Sequence, residues 1–282
     1  MKHCLPSSLA SRRVNIVLVG AGGTGSRMLE NLMNLHRAMV ALGHPQGLDV
    51  VLVDDDRVSP ANVGRQAFYA CDIGSYKALT LINRANMAMG GQVTWTAKVG
   101  RVTAESKFDD ADLVIGAVDN RSARLAIMRA LESRYYGDPA YWLDMGNSQS
   151  SGQVVLGQVP ICRRKTDDIW RLPHIGEMYP ELIDSKLDKL EDDVPSCSLA
   201  EALEKQSLFI NPAVSLFASN LLWQLFTKGE IEHHGAFVNL EHMTVMPLAI
   251  DHDVWARFGV IRDGKRRKLL QPSRRARSRA LT

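Results

Sequence analysis

The first short and largely apolar run in the chain, Val14–Val19 (VNIVLV), stops abruptly at Gly20. A run of that length, without polar alternation and ended by glycine, predicts a strand buried on both faces of a parallel sheet. The spacing then changes: Met28, Leu32, Leu35 and Met39 recur at helical intervals, so a helix is expected over residues 24–42. The same alternation repeats, with strands at 50–53, 93–96 and 113–118 and helices at 77–89 and 122–134. Buried strands alternating with helices predict an α/β fold with a doubly wound, mostly parallel sheet.

Beyond residue 140 the rhythm is different. Strands are expected at 141–144 and 153–157 around a loop at 146–152, followed by a long crossover loop over about 160–209 that holds a charged helical stretch at 180–192. An apolar helix at 212–226 brings the chain back, and antiparallel strands at 236–240 and 244–250 close the sheet. Pro247 cannot donate to a ladder, which confines the last strand to an edge.

At 282 residues and 45% hydrophobic content the chain can bury one large core. We expect a single domain over residues 1–260 and a basic, disordered tail at 261–282. The net charge of +3 conceals that division: residues 262–282 hold nine Lys and Arg against Asp263, a balance of +8 that leaves −5 for the rest. The alternative to a purely solvated tail is contact with nucleic acid or an acidic partner. Cys4, Cys71, Cys162 and Cys197 are scattered with no C-x-x-C pair, so neither a disulfide framework nor a zinc site is expected. No run approaches the roughly 20 apolar residues of a membrane span, and the N-terminus lacks the apolar segment of a secretory signal. A cytoplasmic protein without a membrane partner is expected.

The chemistry begins at the first strand's end. Gly20, Gly22 and Gly25 form G-x-G-x-x-G between strand and helix, with Gly23 inside it, where the backbone can approach phosphate and the helix start favours negative charge. Asp54 stands at the end of the second strand, placed for ribose hydroxyls, and Asp56, Asn62, Arg65 and Gln66 follow on its loop. Asn and Arg there suit a triphosphate better than NAD, because guanidinium offers a planar, permanently charged fork. The 29 residues from Gly25 to Asp54 also exceed the roughly 20 of a dinucleotide site. Lys77 supplies a second cation, fit to meet a leaving pyrophosphate. Asp119 and Asn120 follow the strand at 113–118, and a carboxylate at that end can hold Mg²⁺.

GAGGTGS, DDDRVSPANVGRQ, DIGSYK and GAVDNRSAR, in that order, resemble the nucleotide motifs of the ThiF/MoeB/HesA superfamily, which includes ubiquitin-activating enzymes. The resemblance covers about residues 14–250 and implies a Rossmann-like sheet, ATP and Mg²⁺ as cofactors, and adenylation of the C-terminus of a small ubiquitin-like (β-grasp) protein. By position it implies Gly22 and Asp54 for the nucleotide, Asn62, Arg65 and Lys77 for the phosphates, and Asp119 for Mg²⁺ and the α-phosphate. It also implies a homodimer. Relatives often carry an arginine before the first strand that acts across the dimer; here only Arg12 and Arg13 lie close to it, and that role stays open.

Cys197, in PSCS ahead of the returning helix, sits where thioester-forming relatives carry their nucleophile. The segment PSCSLAEALEKQSLFIN is similar to ThiF-family members of the plasmid-associated PRTRC cassette. Adenylation without a cysteine intermediate, for a sulfur carrier, a small molecule or tRNA, and a catalytically idle nucleotide-binding scaffold are the alternatives. His233 and His234 read as surface histidines, and Cys71 as a packing residue.

Overall fold

A computed structural model of the protein describes residues 1–134, 140–160, 171–188 and 207–261. In chain order the elements are β1 (His3–Cys4), α1 (Ser7–Ser11), β2 (Val14–Val19), α2 (Gly23–Ala41), β3 (Leu48–Val53), α3 (Lys77–Ala88), β4 (Thr96–Lys98), β5 (Leu113–Gly116), α4 (Arg121–Glu132), β6 (Ala140–Asn147), β7 (Ser151–Val159), α5 (Ile175–Met178), α6 (Ile210–Lys228), β8 (Glu230–Ile231), β9 (His233–Asn239), β10 (Thr244–Ala249) and α7 (His252–Arg257).

Eight strands form one sheet in the order β10-β9-β7-β6-β5-β2-β3-β4. From β4 to β6 neighbours run parallel, and from β6 to β10 antiparallel. β2 and β3 share one burial pattern and β5 is buried throughout, as strands covered on both faces must be. The chain leaves β2 outward through β3 to β4, then returns to β5 on the other flank. Strand order therefore reverses between β2 and β5, the topology that leaves a crevice outside the C-terminal ends of such strands.

Helix α2 buries Met28, Leu32, Leu35 and Met39 together with Leu29, matching the expected face. It packs with α3 and α6, while α4 packs with β7 and with the 3-10 turns at Pro180–Leu182 and Ser185–Leu187. α2 and α6 lie side by side and run in the same direction. Thr24 bonds Asn211 and Ser215 at their starts, and Ser219 Oγ approaches Met28 Sδ at 3.4 Å one turn later. α6 ends at Gly229, whose φ of +71° lets its amide turn back onto Leu225 O.

Four expectations need correction. The strand expected at 93–96 is β4, shifted to Thr96–Lys98, because Val93 and Trp95 are buried in the approach to it. The helical stretch expected at 180–192 is two 3-10 turns, Pro180–Leu182 and Ser185–Leu187, the second opened by Asp184, whose carboxylate takes the Lys186 amide; residues 189–192 lie outside the described residues. His234 is fully buried: Trp255 Nε1 donates to its Nε2 at 2.9 Å, which leaves Nδ1–H to donate to Leu156 O at 2.7 Å. Cys71 is exposed on a 3-10 turn instead of packed. Pro247 does lie on an edge strand. Cys162, Cys197 and the basic segment 262–282 lie outside the described residues.

Candidate nucleotide site

The glycines at the crevice divide by what constrains them. Gly20 has φ +96° and faces Ala117 O so closely that a Cβ would fall 2.5 Å from it. A Cβ on Gly25 would fall 1.9 Å from Gly20 O. These two let β2, α2 and the end of β5 approach one another. Gly22, the residue before α2, has an ordinary φ of −74° and no atom within 4 Å of where a Cβ would stand. The fold places no demand on it, and its open side is the place where a ligand can meet the uncapped start of a 19-residue helix.

The Asp54 carboxylate fastens this turn to β3. Its Oδ2 accepts from Ala21 N at 2.7 Å and its Oδ1 from Asp56 N at 3.0 Å. Burial pushes the Asp54 carboxyl above its ordinary value, against the Ala21 hydrogen bond and the charge of Lys77. Lys77, at the start of α3, is buried with its ammonium 2.8 Å from the exposed Asp56 carboxylate. Asn62 is buried and its Oδ1 accepts from Ser59 N at 2.8 Å, closing a 3-10 turn. Gln66 is buried next to it, and its Oε1 is an unpartnered acceptor. Arg65 is half-buried, and burial lowers its guanidinium from the usual value while leaving it a cation at any working pH. The whole loop is pinned to α2 by Ala67 N donating to Ser26 Oγ at 3.2 Å.

Across the reversal point, Asp119 is exposed at the end of β5 with the Asn120 side-chain amide 3.2 Å away. Asn120 also has a structural duty, since its Oδ1 accepts from Ala123 N at 2.7 Å and caps α4. Asp188 completes that helix start, taking Arg121 N at 3.0 Å, Ser122 N at 2.9 Å and Ser122 Oγ at 2.6 Å. Behind it, Arg124 Nε donates to Asp144 Oδ1 at 3.0 Å, a pair removed from solvent that fixes α4 to β6. Burial raises the Asp144 carboxyl, opposed by Arg124.

The structure thus brings Gly20, Gly22, Gly23, Gly25, Asp54, Asp56, Asn62, Lys77, Asp119 and Asn120 to the C-terminal ends of β2, β3 and β5 and the starts of the helices beyond them. Arg12 is elsewhere: it makes a bidentate pair with Asp112, 2.6 and 2.8 Å, at the entry to β5, the opposite end of the sheet. Sequence reading missed Ala21 N, Asp144, Asp188 and Asn211; of these only Asn211, followed by Pro212, carries the local signature of a helix start.

A sequence profile described as the ThiF family matches residues 6–245. Ubiquitin-like modifier-activating enzyme 1 of Dictyostelium discoideum is 31% identical over 195 residues, covering 66% of this chain and 16% of that protein. Sulfur carrier protein adenylyltransferase of Thermus thermophilus is 34% identical over 120 residues, 41% of this chain and 40% of that one. The chain therefore spans well under half of the length of these curated relatives. Among solved structures, PaaA superposes with a TM-score of 0.55 at 14% identity, covering 84% of this chain and 73% of its own. E. coli MccB with succinimide gives 0.52 at 13%, covering 84% and 64%. At that identity these two attest the fold.

Proposed function

The chain belongs to the ThiF family, and from that premise we propose that it is an ATP-dependent adenylyltransferase acting on the C-terminal carboxylate of a small ubiquitin-like β-grasp protein. The observation that carries the reading is the pairing across the crevice of an open glycine, Gly22, at an uncapped helix start with an exposed carboxylate, Asp119, at the end of the neighbouring strand.

In this reading the amides at the start of α2 receive phosphate oxygens and Asp54 meets the ribose, its remaining lone pairs being available beside the two backbone bonds. Arg65 and Lys77 balance the charge of the triphosphate, Lys77 passing from Asp56 to a phosphate oxygen. Asn62 and Gln66 shape the loop that presents Arg65. The single exposed carboxylate of Asp119 fits Mg²⁺, which takes one or two carboxylates together with phosphates and water; when bound, that ion neutralises charge on the phosphates. The substrate carboxylate attacks the α-phosphorus, the bond to the bridging oxygen breaks, and pyrophosphate leaves with the electron pair. Positioning and charge stabilisation are the protein's contribution.

Cys197 is then the acceptor in a second step, its thiolate attacking the acyl carbonyl and releasing AMP. Asp188 and Ser207, which flank the segment holding Cys197, are bonded to α4 and to the β6–β7 turn beside the crevice, and this supports the assignment.

The test is ATP–pyrophosphate exchange by wild type and Asp119→Ala, each with and without a candidate small protein. Exchange that needs both Asp119 and the protein is the expected result, with a loss of at least about 100-fold in the variant. MgATP binding with no exchange under any of these conditions would leave a nucleotide-binding scaffold.

A further inference from the structure

Thr24, Asn147, Asn211 and Ser215 come from α2, β6 and α6, and all but Asn147 are more than nine-tenths buried. Thr24 Oγ1 donates to Asn211 Oδ1 at 2.9 Å, Asn147 Nδ2 donates to the same oxygen at 3.3 Å, and Ser215 Oγ donates to Thr24 O at 2.9 Å. A Cβ on Gly23 would lie 2.5 Å from Asn211 Nδ2. Gly23 is thus a glycine because Asn211 lies against it, a reason distinct from the open space beside Gly22.

A buried polar cluster of this kind is an expensive way to hold two helices together, since apolar side chains of the same shape hold them equally well or better. Its bonds are directional, which apolar contacts are not. Farther along, α2 and α6 also meet through Asn31 Nδ2 donating to Ser215 O at 3.4 Å and Ser219 Oγ beside Met28 Sδ, both longer contacts than the Thr24–Asn211 bond. The polar set stands at the one place where a small rotation would re-aim the backbone amides of residues 22–24.

We infer that Asn211 is a positioning residue of the nucleotide site: by holding Thr24 and closing against Gly23 it fixes the direction in which the start of α2 faces the phosphates. This rests on the reading of the Gly22 turn as the phosphate seat and adds a residue from the far side of the crossover. It also makes the turn and the first turn of α6 one body, so phosphate contact and the start of α6 shift together.

The experiment is calorimetric titration of MgATP into the full chain carrying Thr24→Val, Asn211→Leu, both together, or Thr24→Ser. Each of the first two is expected to weaken binding about tenfold with the melting midpoint little changed, because a loosened turn must be ordered when phosphate arrives. The double variant is expected to be no weaker than the poorer single one, and Thr24→Ser, which keeps the hydroxyl, to bind as wild type. Wild-type affinity in both single variants, or penalties that multiply in the double, would overturn the assignment. If Asn211→Leu does not fold, Thr24→Val against Thr24→Ser decides by the same affinity. Wild type that binds no MgATP would instead remove the nucleotide reading on which the inference rests.

Discussion

On one wall of the crevice, between Gly20 and Lys77, polar groups are largely satisfied from within. Asp54 holds Ala21 and Asp56, Asn62 closes its own turn, and Lys77 is buried against Asp56. On the other wall Asp119 stands in solvent, and the rigidity lies one layer behind it in Arg124 and Asp144. In the proposed function the first wall presents fixed donors to a polyanion, where any disorder would weaken binding. The second keeps one carboxylate able to exchange partners while its helix stays fixed.

The sharpest challenge to this contrast is Gly25→Ala. Its methyl would enter the space of Gly20 O, and overpacking against backbone is expected to cost several kcal/mol, read as loss of soluble protein or of a cooperative melt. Next comes Arg124→Ala, which leaves the Asp144 carboxylate buried and uncompensated. A loss of about 3–5 kcal/mol in urea unfolding is expected, and a loss under 1 kcal/mol would show that the second wall has no such support. Gly22→Ala is expected to fold and melt as wild type while binding MgATP about tenfold more weakly, since only a ligand competes for that space. Equal effects of the two glycine variants on stability would erase the distinction between them.

An acid titration separates both walls from the rest of the sheet. Burial, with His3 and His233 adding to it, pushes the His234 imidazole down to about 4 from its usual 6.5. Between those values the unfolded chain binds the proton and the folded chain does not, so the contribution is whole above pH 6.5 and is lost as pH falls towards 4. His234→Asn is expected to flatten that slope in urea midpoints measured from pH 7 to 4.5, with MgATP affinity at pH 7.5 unchanged.

The parallel half of the fold was legible because burial on both faces leaves an uninterrupted apolar run; β2 was read to the residue. β6 and β7 run farther than the apolar signal, through Gly146 and Gly152, because a backbone ladder needs no side chain to continue. The candidate site was legible where chemistry is local: glycines at a turn, a carboxylate at a strand end. It was illegible where partners are distant in sequence, as with Arg124 and Asp144 or Thr24 and Asn211, 187 residues apart. His234 misled because a lone imidazole gives no sign of the indole waiting 21 residues away.

Two 19-residue helices that begin together and run the same way carry a further consequence. Each start bears roughly half a positive charge, and placing the two side by side is mildly repulsive, on the order of the 0.3–1 kcal/mol that one helix end exchanges with a neighbouring charge. An anion on the open side of Gly22, beside both starts, would offset both at once. If the proposed function holds, phosphate at this place relieves a repulsion that folding has imposed, so part of the affinity for a nucleotide would be set by the helix packing before any nucleotide arrives.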